Sequence, residues 1–412
     1  MKLLISTSFT PYLHGIISLK DFLFALTFLM TSCNKDENQE DIPVAQTSIE
    51  TSENIELFEY NINHVSTIPN FRGESFQLYV REKVKPTILA DNDLEGKVVL
   101  LIHATITPSI STYDLDYQDY SLMNYLSAQG LDVFAFDLTG YGKSDFPAPM
   151  NDPCNLSTND KTRLGVEDCE STYPYLMTTS FSEIDEINTV VEFIKRTRGV
   201  NQVSIFGMSL GGIRALNYTM THPSKVSKVS VQGVGRYLTL DLTPSEIPAS
   251  GAPINIVTEQ QFLDRLTDDI YTPDQRDVQI HSKVWEVLRA IDVVGQQWGI
   301  GCSRHTSTMA YGFLRSDIEQ MTKPCLVISG ENDKILNPLL PIRFDLGLGL
   351  YEDMLASTQK IHLQVNNAGH VMLYDLQAPN MRKALAEWLL TSTVDGQASG
   401  EGVLAVDGTY TW

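Results

Sequence analysis

Positive charge is scarce in this chain. Its 412 residues hold 30 lysines and arginines against 51 aspartates and glutamates, a formal net charge of −21. Nucleic acid binding needs a cationic surface to displace phosphate counterions, so no partner of that class is expected. Long apolar runs are missing too. The run FLFALTFLMT at 22–31 is too short for the ~20 residues of a membrane-spanning helix and has the length of a signal-peptide apolar region. There are five cysteines, and no two of them have zinc-ligand spacing. No Gly-rich phosphate loop is present either, so neither a metal nor an organic cofactor is expected. What the chain does have is a globular composition, 42% apolar and 9% aromatic. Its length suffices for one large core with an inserted domain.

The N-terminal stretch stands apart from that core. Lys20 precedes the apolar run, which ends in LMTSC and is followed by the polar, acidic NKDENQED. Small residues Thr31 and Ser32 before Cys33 resemble the lipobox of bacterial lipoproteins. The resemblance implies a signal peptide over 1–32, removed on export, and a lipid on Cys33. Residues 33–52 then form a polar tether to a membrane of the cell envelope, expected to be the outer one. An ordinary secretory signal with an incidental cysteine is the competing reading. Export permits disulfides. Cys154 and Cys169 lie in a Pro-, Asn- and Asp-rich segment with little periodicity, and a bridge between them would order it by about 3 kcal/mol. That bridge is predicted. Cys325, inside CLVIS, reads as a buried thiol, and Cys302 is left unassigned.

Periodicity sets the order of elements. Residues 54–65 and 75–84 alternate apolar and polar side chains, as in an antiparallel hairpin. KVVLLIHA at 97–104 is continuously apolar, as a strand covered on both faces should be, and DVFAFDL at 132–138 is another apolar strand. Ser180 and Glu183 are placed to form a capping box for a helix with Ile184, Ile187, Val191 and Ile194 on one side. Further strands follow at 203–208, 227–234, CLVIS and KIHLQV. Strands alternating with amphipathic helices imply right-handed βαβ units and a parallel sheet. Between 236 and 320 the alternation stops; the pattern there is helical, with no clear strand, and reads as a cap. The core is thus expected over 53–235 and 321–392, with a lid loop at 145–180. The tail 393–412 has no assignment.

One junction carries the chemistry. VSIFGMSLGGIRAL at 203–216 puts a serine between two glycines where a strand gives way to a helix. The glycines fit a turn so sharp that strand and helix backbones leave no room for side chains. A serine hydroxyl needs a base to become a nucleophile, and histidine is the natural one. Of eight histidines, only His370 follows the end of the last strand, at the sheet edge where Ser209 also lies and where open α/β sheets bind ligands. A carboxylate must then fix the imidazole tautomer.

GMSLG, DLTGYGKSD at 137–145, LVISGEND at 326–333 and NNAGH at 366–370 occur in an order that resembles the α/β-hydrolase superfamily over residues 54–392. The resemblance implies a mostly parallel central sheet with helices on both faces and a helical cap. It also implies a Ser209, Asp333, His370 triad, with Glu331 the local competitor for the acid. An oxyanion would be held by the backbone N–H of Leu210 and by a second from His103-Ala104-Thr105. Thr105 is chosen, with Ala104 the alternative, because Ala stands where the family usually has Gly. His103 is expected to be structural. A serine at the elbow disfavours dehalogenases and epoxide hydrolases, which use aspartate there, and HATITP does not resemble the Gly-rich oxyanion loops of iminopeptidases or of H-G-G-G esterases. The expected activity is cleavage of a small carboxylic ester or lactone through an acyl-enzyme. Trp285 and Trp298, with Phe262, Tyr311 and Phe313, are expected to line the pocket. A ligand receptor or lyase that keeps the triad is the second class of function.

Overall fold

The computed structural model describes residues 54–91, 93–235, 252–306, 308–309, 312–336 and 345–412. The expected leader, Cys33, the tether, the start of the cap and Tyr311 lie outside them. The strands are β1 (Glu56–Val65), β2 (Ser75–Val84), β3 (Val98–Ile102), β4 (Asp132–Phe136), β5 (Thr178–Thr179), β6 (Val203–Met208) and β7 (Val226–Gln232). They continue with β8 (Ile254–Val257), β9 (Ser303–Thr306), β10 (Thr308–Met309), β11 (Cys325–Gly330), β12 (Lys360–Val365), β13 (Gly400–Leu404) and β14 (Tyr410–Thr411).

The alternating N-terminal segments form the hairpin, with Tyr60 opposite Val80. β2 joins β4 antiparallel. From β4 the sheet runs parallel in the order β4-β3-β6-β7-β11-β12-β13, and β14 closes it antiparallel. The continuous apolar runs are explained by cover on both faces. Successive side chains of β3 point to opposite sides. Val99 and Leu101 join Leu122, Leu126, Leu385 and Trp388 on one face. Leu100 and Ile102 join Ile187, Val191, Leu216 and Tyr218 on the other.

The helix Ser180–Arg198 starts one residue off the expected register. Thr179 is its N-cap and exchanges hydrogen bonds with Ser182. Glu183 is thereby free for another task, described below.

Two regions differ from the sequence reading. The insertion is not purely helical: β8 pairs antiparallel with β9, Ile254 opposite Thr306, and the helices Glu259–Asp268 and Gln279–Ile291 lie between them in sequence. Strands of four residues are too short for their alternation to stand out. The unassigned tail extends the sheet, β13 pairing parallel with β12. Gly402 lets the Trp412 ring lie close against β13, since a Cβ there would fall 2.8 Å from that ring.

Cys154 and Cys169 are joined by a disulfide. Around it Met150, Leu156, Leu164 and Met177 pack with Phe71, Phe76, Ile254 and Ile256 in a third apolar cluster. Cys302 and Cys325 are buried free thiols. Burial pushes the Cys302 thiol up to about 12.

Candidate active site

The turn after β6 holds Ser209 at φ 53°, ψ −125°, a strained conformation that non-glycine residues rarely adopt. Its flanking glycines are sterically obligatory. A Cβ on Gly207 would lie 2.2 Å from the Gly211 carbonyl oxygen, and one on Gly211 would lie 2.1 Å from that of Ile102. The Ser209 N–H is anchored on the Gln232 carbonyl at 2.8 Å, which ties the turn to β7.

Ser209, His370 and Asp333 form one hydrogen-bonded line. The Ser209 hydroxyl lies 2.9 Å from His370 Nε2, and His370 Nδ1 lies 2.9 Å from Asp333 Oδ2. A carboxylate only accepts, so Nδ1 carries the proton and Nε2 faces the hydroxyl as an acceptor. The other Asp333 oxygen accepts from the N–H groups of Ile335 (2.9 Å) and Leu336 (3.0 Å), which fixes the carboxylate plane. Asp333 is fully buried and His370 nearly so. Burial is the largest single influence on the ring and opposes protonation, but the charge and hydrogen bond of Asp333, with help from Asp269, outweigh it and raise the His370 pKa above its usual 6.5. Glu331 does not reach the ring; it accepts from the Asn367 N–H at 2.8 Å.

The His370 loop is clamped by residues that sequence reading missed. Asp269, just past the helix Glu259–Asp268, accepts from the N–H of His370 (2.9 Å) and of Val371 (3.1 Å). Asp375 accepts from the Gly369 N–H at 2.6 Å. Buried Arg276 bridges the two carboxylates at 2.5 and 2.6 Å.

The loop that follows β3 is held from behind. His103 Nδ1 lies 2.7 Å from the Ala104 carbonyl, and its Nε2 accepts from the Leu138 N–H at 3.2 Å. Burial, then nearby Arg214, depresses the His103 pKa to about 3, so the ring is neutral with its proton on Nδ1. Arg214, paired through two hydrogen bonds with Glu183 (2.9 and 2.6 Å), adds a long contact to the Ala104 carbonyl at 3.5 Å. The Ala104 carbonyl and the Thr105 N–H belong to one planar peptide, so pinning the first aims the second the other way. Thr105 and Leu210 both border the space around Ser209.

A cavity of about 530 Å³ opens beside Ser209 and His370, with Met208, Phe262, Leu266, Val371 and Tyr374 on its walls. Trp285 and Trp298, expected as lining residues, are not on those walls. Trp285 packs behind Phe262, ring centroids 5.8 Å apart. Trp298 lies in the third cluster, its ring under the Arg304 guanidinium at 5.1 Å. Both rings fill apolar gaps between elements, the usual fate of large aromatics on amphipathic segments. Phe313 is buried in the core; Phe262 alone of the five faces the cavity among the described residues.

No curated protein sequence matches the chain. Among solved structures it is similar to a meta-cleavage product hydrolase from Pseudomonas fluorescens, with 14% identity, a TM-score of 0.48 and coverage of 79% of this chain and 96% of that one. A carboxylesterase from Bacillus subtilis gives 12% identity and a TM-score of 0.48 over 80% and 91% of the two chains. A monoacylglycerol lipase from Paleococcus ferrophilus gives 18% and 0.43 over 77% and 99%. The family model for the alpha/beta hydrolase fold matches residues 97–375, a span that contains Ser209, Asp333 and His370, and the chain belongs to that family.

Proposed function

We propose that the protein is a serine hydrolase that cleaves a small carboxylic ester or lactone through an acyl-enzyme on Ser209. The observation that carries this reading is the unbroken line from the Ser209 hydroxyl through His370 to Asp333, with both links at 2.9 Å. As Ser209 Oγ attacks the carbonyl carbon, His370 Nε2 takes its proton and Asp333 stabilises the imidazolium. The developing oxyanion is met by the N–H groups of Leu210, at a helix N-terminus, and Thr105. His370 then gives the proton to the departing alkoxide, and water reverses the sequence to release the acid. The insertion at 236–320 and the loop at 145–180 act as cap and lid over this chemistry.

Turnover of p-nitrophenyl esters of increasing acyl length tests the reading. Ser209→Ala should cost several orders of magnitude, and His370→Ala nearly as much, because nucleophile and base act as a unit. Full turnover by Ser209→Ala would overturn the mechanism. Labelling of Ser209 by a fluorophosphonate without hydrolysis of any ester or lactone would favour the receptor or lyase reading.

We also propose that Cys33 carries a lipid that holds the protein on the cell envelope, supported by the apolar run, LMTSC and the polar segment behind it. Cys33→Ala should move the exported protein from the membrane fraction to the soluble one. Wild-type protein already soluble after export would sink this idea.

A further inference from the structure

The insertion meets the core at a buried ion pair behind the oxyanion loop. β10 pairs parallel with β5, Thr308 opposite Thr178, where the loop 145–180 ends. Thr179 caps the helix Ser180–Arg198, which carries Glu183 in its first turn. The Thr308 hydroxyl donates to Glu183 Oε1 at 2.8 Å, and the Thr178 hydroxyl lies 3.1 Å from the Thr308 oxygen. Two further seams seat the insertion on that loop. Arg304 Nη1 donates to the Met150 carbonyl at 2.6 Å and to Asn151 Oδ1 at 2.9 Å, and the Ile300 N–H donates to the Leu164 carbonyl at 3.1 Å.

The contact made by Thr308 does not end at Glu183. Glu183 Oε1 also accepts from Arg214 Nη2 at 2.6 Å, and Oε2 accepts from Nε at 2.9 Å. Arg214 and Glu183 are 2% and 1% exposed, so water is not at hand to replace a displaced partner. The remaining guanidinium nitrogen, Nη1, donates to the carbonyls of His103 at 3.3 Å and Ala104 at 3.5 Å. Those carbonyls belong to the peptides on either side of Ala104, and the second peptide carries the Thr105 N–H. Both contacts lie at the long end of hydrogen-bond geometry, so a shift of roughly a few tenths of an ångström breaks them. One hydrogen-bonded chain therefore runs from the insertion to the oxyanion loop.

We propose that Thr308 is a positioning residue for the oxyanion hole: its hydroxyl holds Glu183, Glu183 holds Arg214, and Arg214 aims the Thr105 N–H. The hole is then complete only when the insertion is seated on the core. This rests on the serine-hydrolase reading. The role needs no contact between Thr308 and the substrate. A methyl group in place of the hydroxyl cannot approach a carboxylate oxygen as closely as a hydrogen-bond donor does, so Glu183 must give way and the long Arg214 contacts are lost with it.

Steady-state kinetics on p-nitrophenyl acetate test the coupling. Thr308→Val should lower kcat by about tenfold, less than the loss of about 10²–10³ that follows removal of a whole oxyanion donor. Acylation and deacylation both pass through an oxyanion, so both slow together and KM should stay within about twofold. Thr308→Ala also lacks the hydroxyl, should show the same split, and stands in where the valine variant does not fold. Thr308→Ser keeps the hydroxyl and should restore kcat. Glu183→Gln should likewise lower kcat and spare KM, although Glu183 lines neither of the cavities that border Ser209. The Thr308→Val/Glu183→Gln double variant should be no slower than Glu183→Gln alone, because both substitutions cut one chain. Thr308 itself lines the second of those cavities, about 360 Å³, so a raised KM at unchanged kcat would make it a substrate contact and overturn the proposal. Wild-type kcat in Thr308→Val, a Thr308→Ser protein as slow as Thr308→Val, or losses that multiply in the double variant would overturn it too. A wild-type protein that hydrolyses no p-nitrophenyl ester would count against the serine-hydrolase reading itself and take this proposal with it.

Discussion

At the scale of the residue, the telling group is His370, a buried imidazole that is nonetheless more basic than usual. Burial alone would depress it, and Arg276 adds to that; Asp333 and Asp269 reverse the balance. A general base works only when neutral. The acid limb of kcat/KM should therefore fall with decreasing pH and lie above 6.5. Asp333→Asn removes the largest favourable charge, so the limb should move to lower pH while kcat drops by about 10²–10⁴. Glu331→Gln should leave the limb in place, because that carboxylate bonds the Asn367 N–H instead of the ring. Rate profiles from pH 5 to 9 for the three proteins check this. Unshifted limbs in both variants would separate Asp333 from the base.

At the scale of the element, adjacent or periodic features were readable from sequence and scattered ones were not. Gly207, Ser209 and Gly211 sit together in one pentapeptide, and β3 and β4 advertise burial on both faces by being apolar throughout, save for Asp132 at the start of β4. The clamp on the His370 loop left no such trace. Asp269, Arg276 and Asp375 are three ordinary charges far apart in the chain or on separate elements, and only folding brings them to one place. The aromatic residues of the insertion misled for a related reason: their sequence positions do not tell a cavity wall from the packing behind it. Arg276→Met should leave two buried carboxylates without their cation and cost about 3–5 kcal/mol, read as a lower urea midpoint. Turnover should fall as well, since the backbone N–H groups of Gly369, His370 and Val371 lose their rigid acceptors. Unchanged stability would mean that the bridge is not holding the loop.

At the scale of the whole molecule, the sheet is longer than the periodic part of the sequence announced. β13 and β14 come from a Gly-rich stretch, and glycines at positive φ, such as Gly400 and Gly408, obscure the alternation that would mark strands. Yet this tail covers the edge of β12 and joins Val394, Leu404 and Tyr410 to the core around Trp388. Removing residues 393–412 should lower the melting temperature by on the order of 5 °C or more. A truncated protein that melts with the full chain would show the extra strands to be ornament. All of these elements serve one claim, that a single serine on a strained turn is the nucleophile. Peptide mapping by mass spectrometry after fluorophosphonate treatment tests it most directly. One adduct per chain is expected, on Ser209, absent from Ser209→Ala and strongly reduced in His370→Ala. An adduct on any other residue, or one that persists in Ser209→Ala, would contradict it.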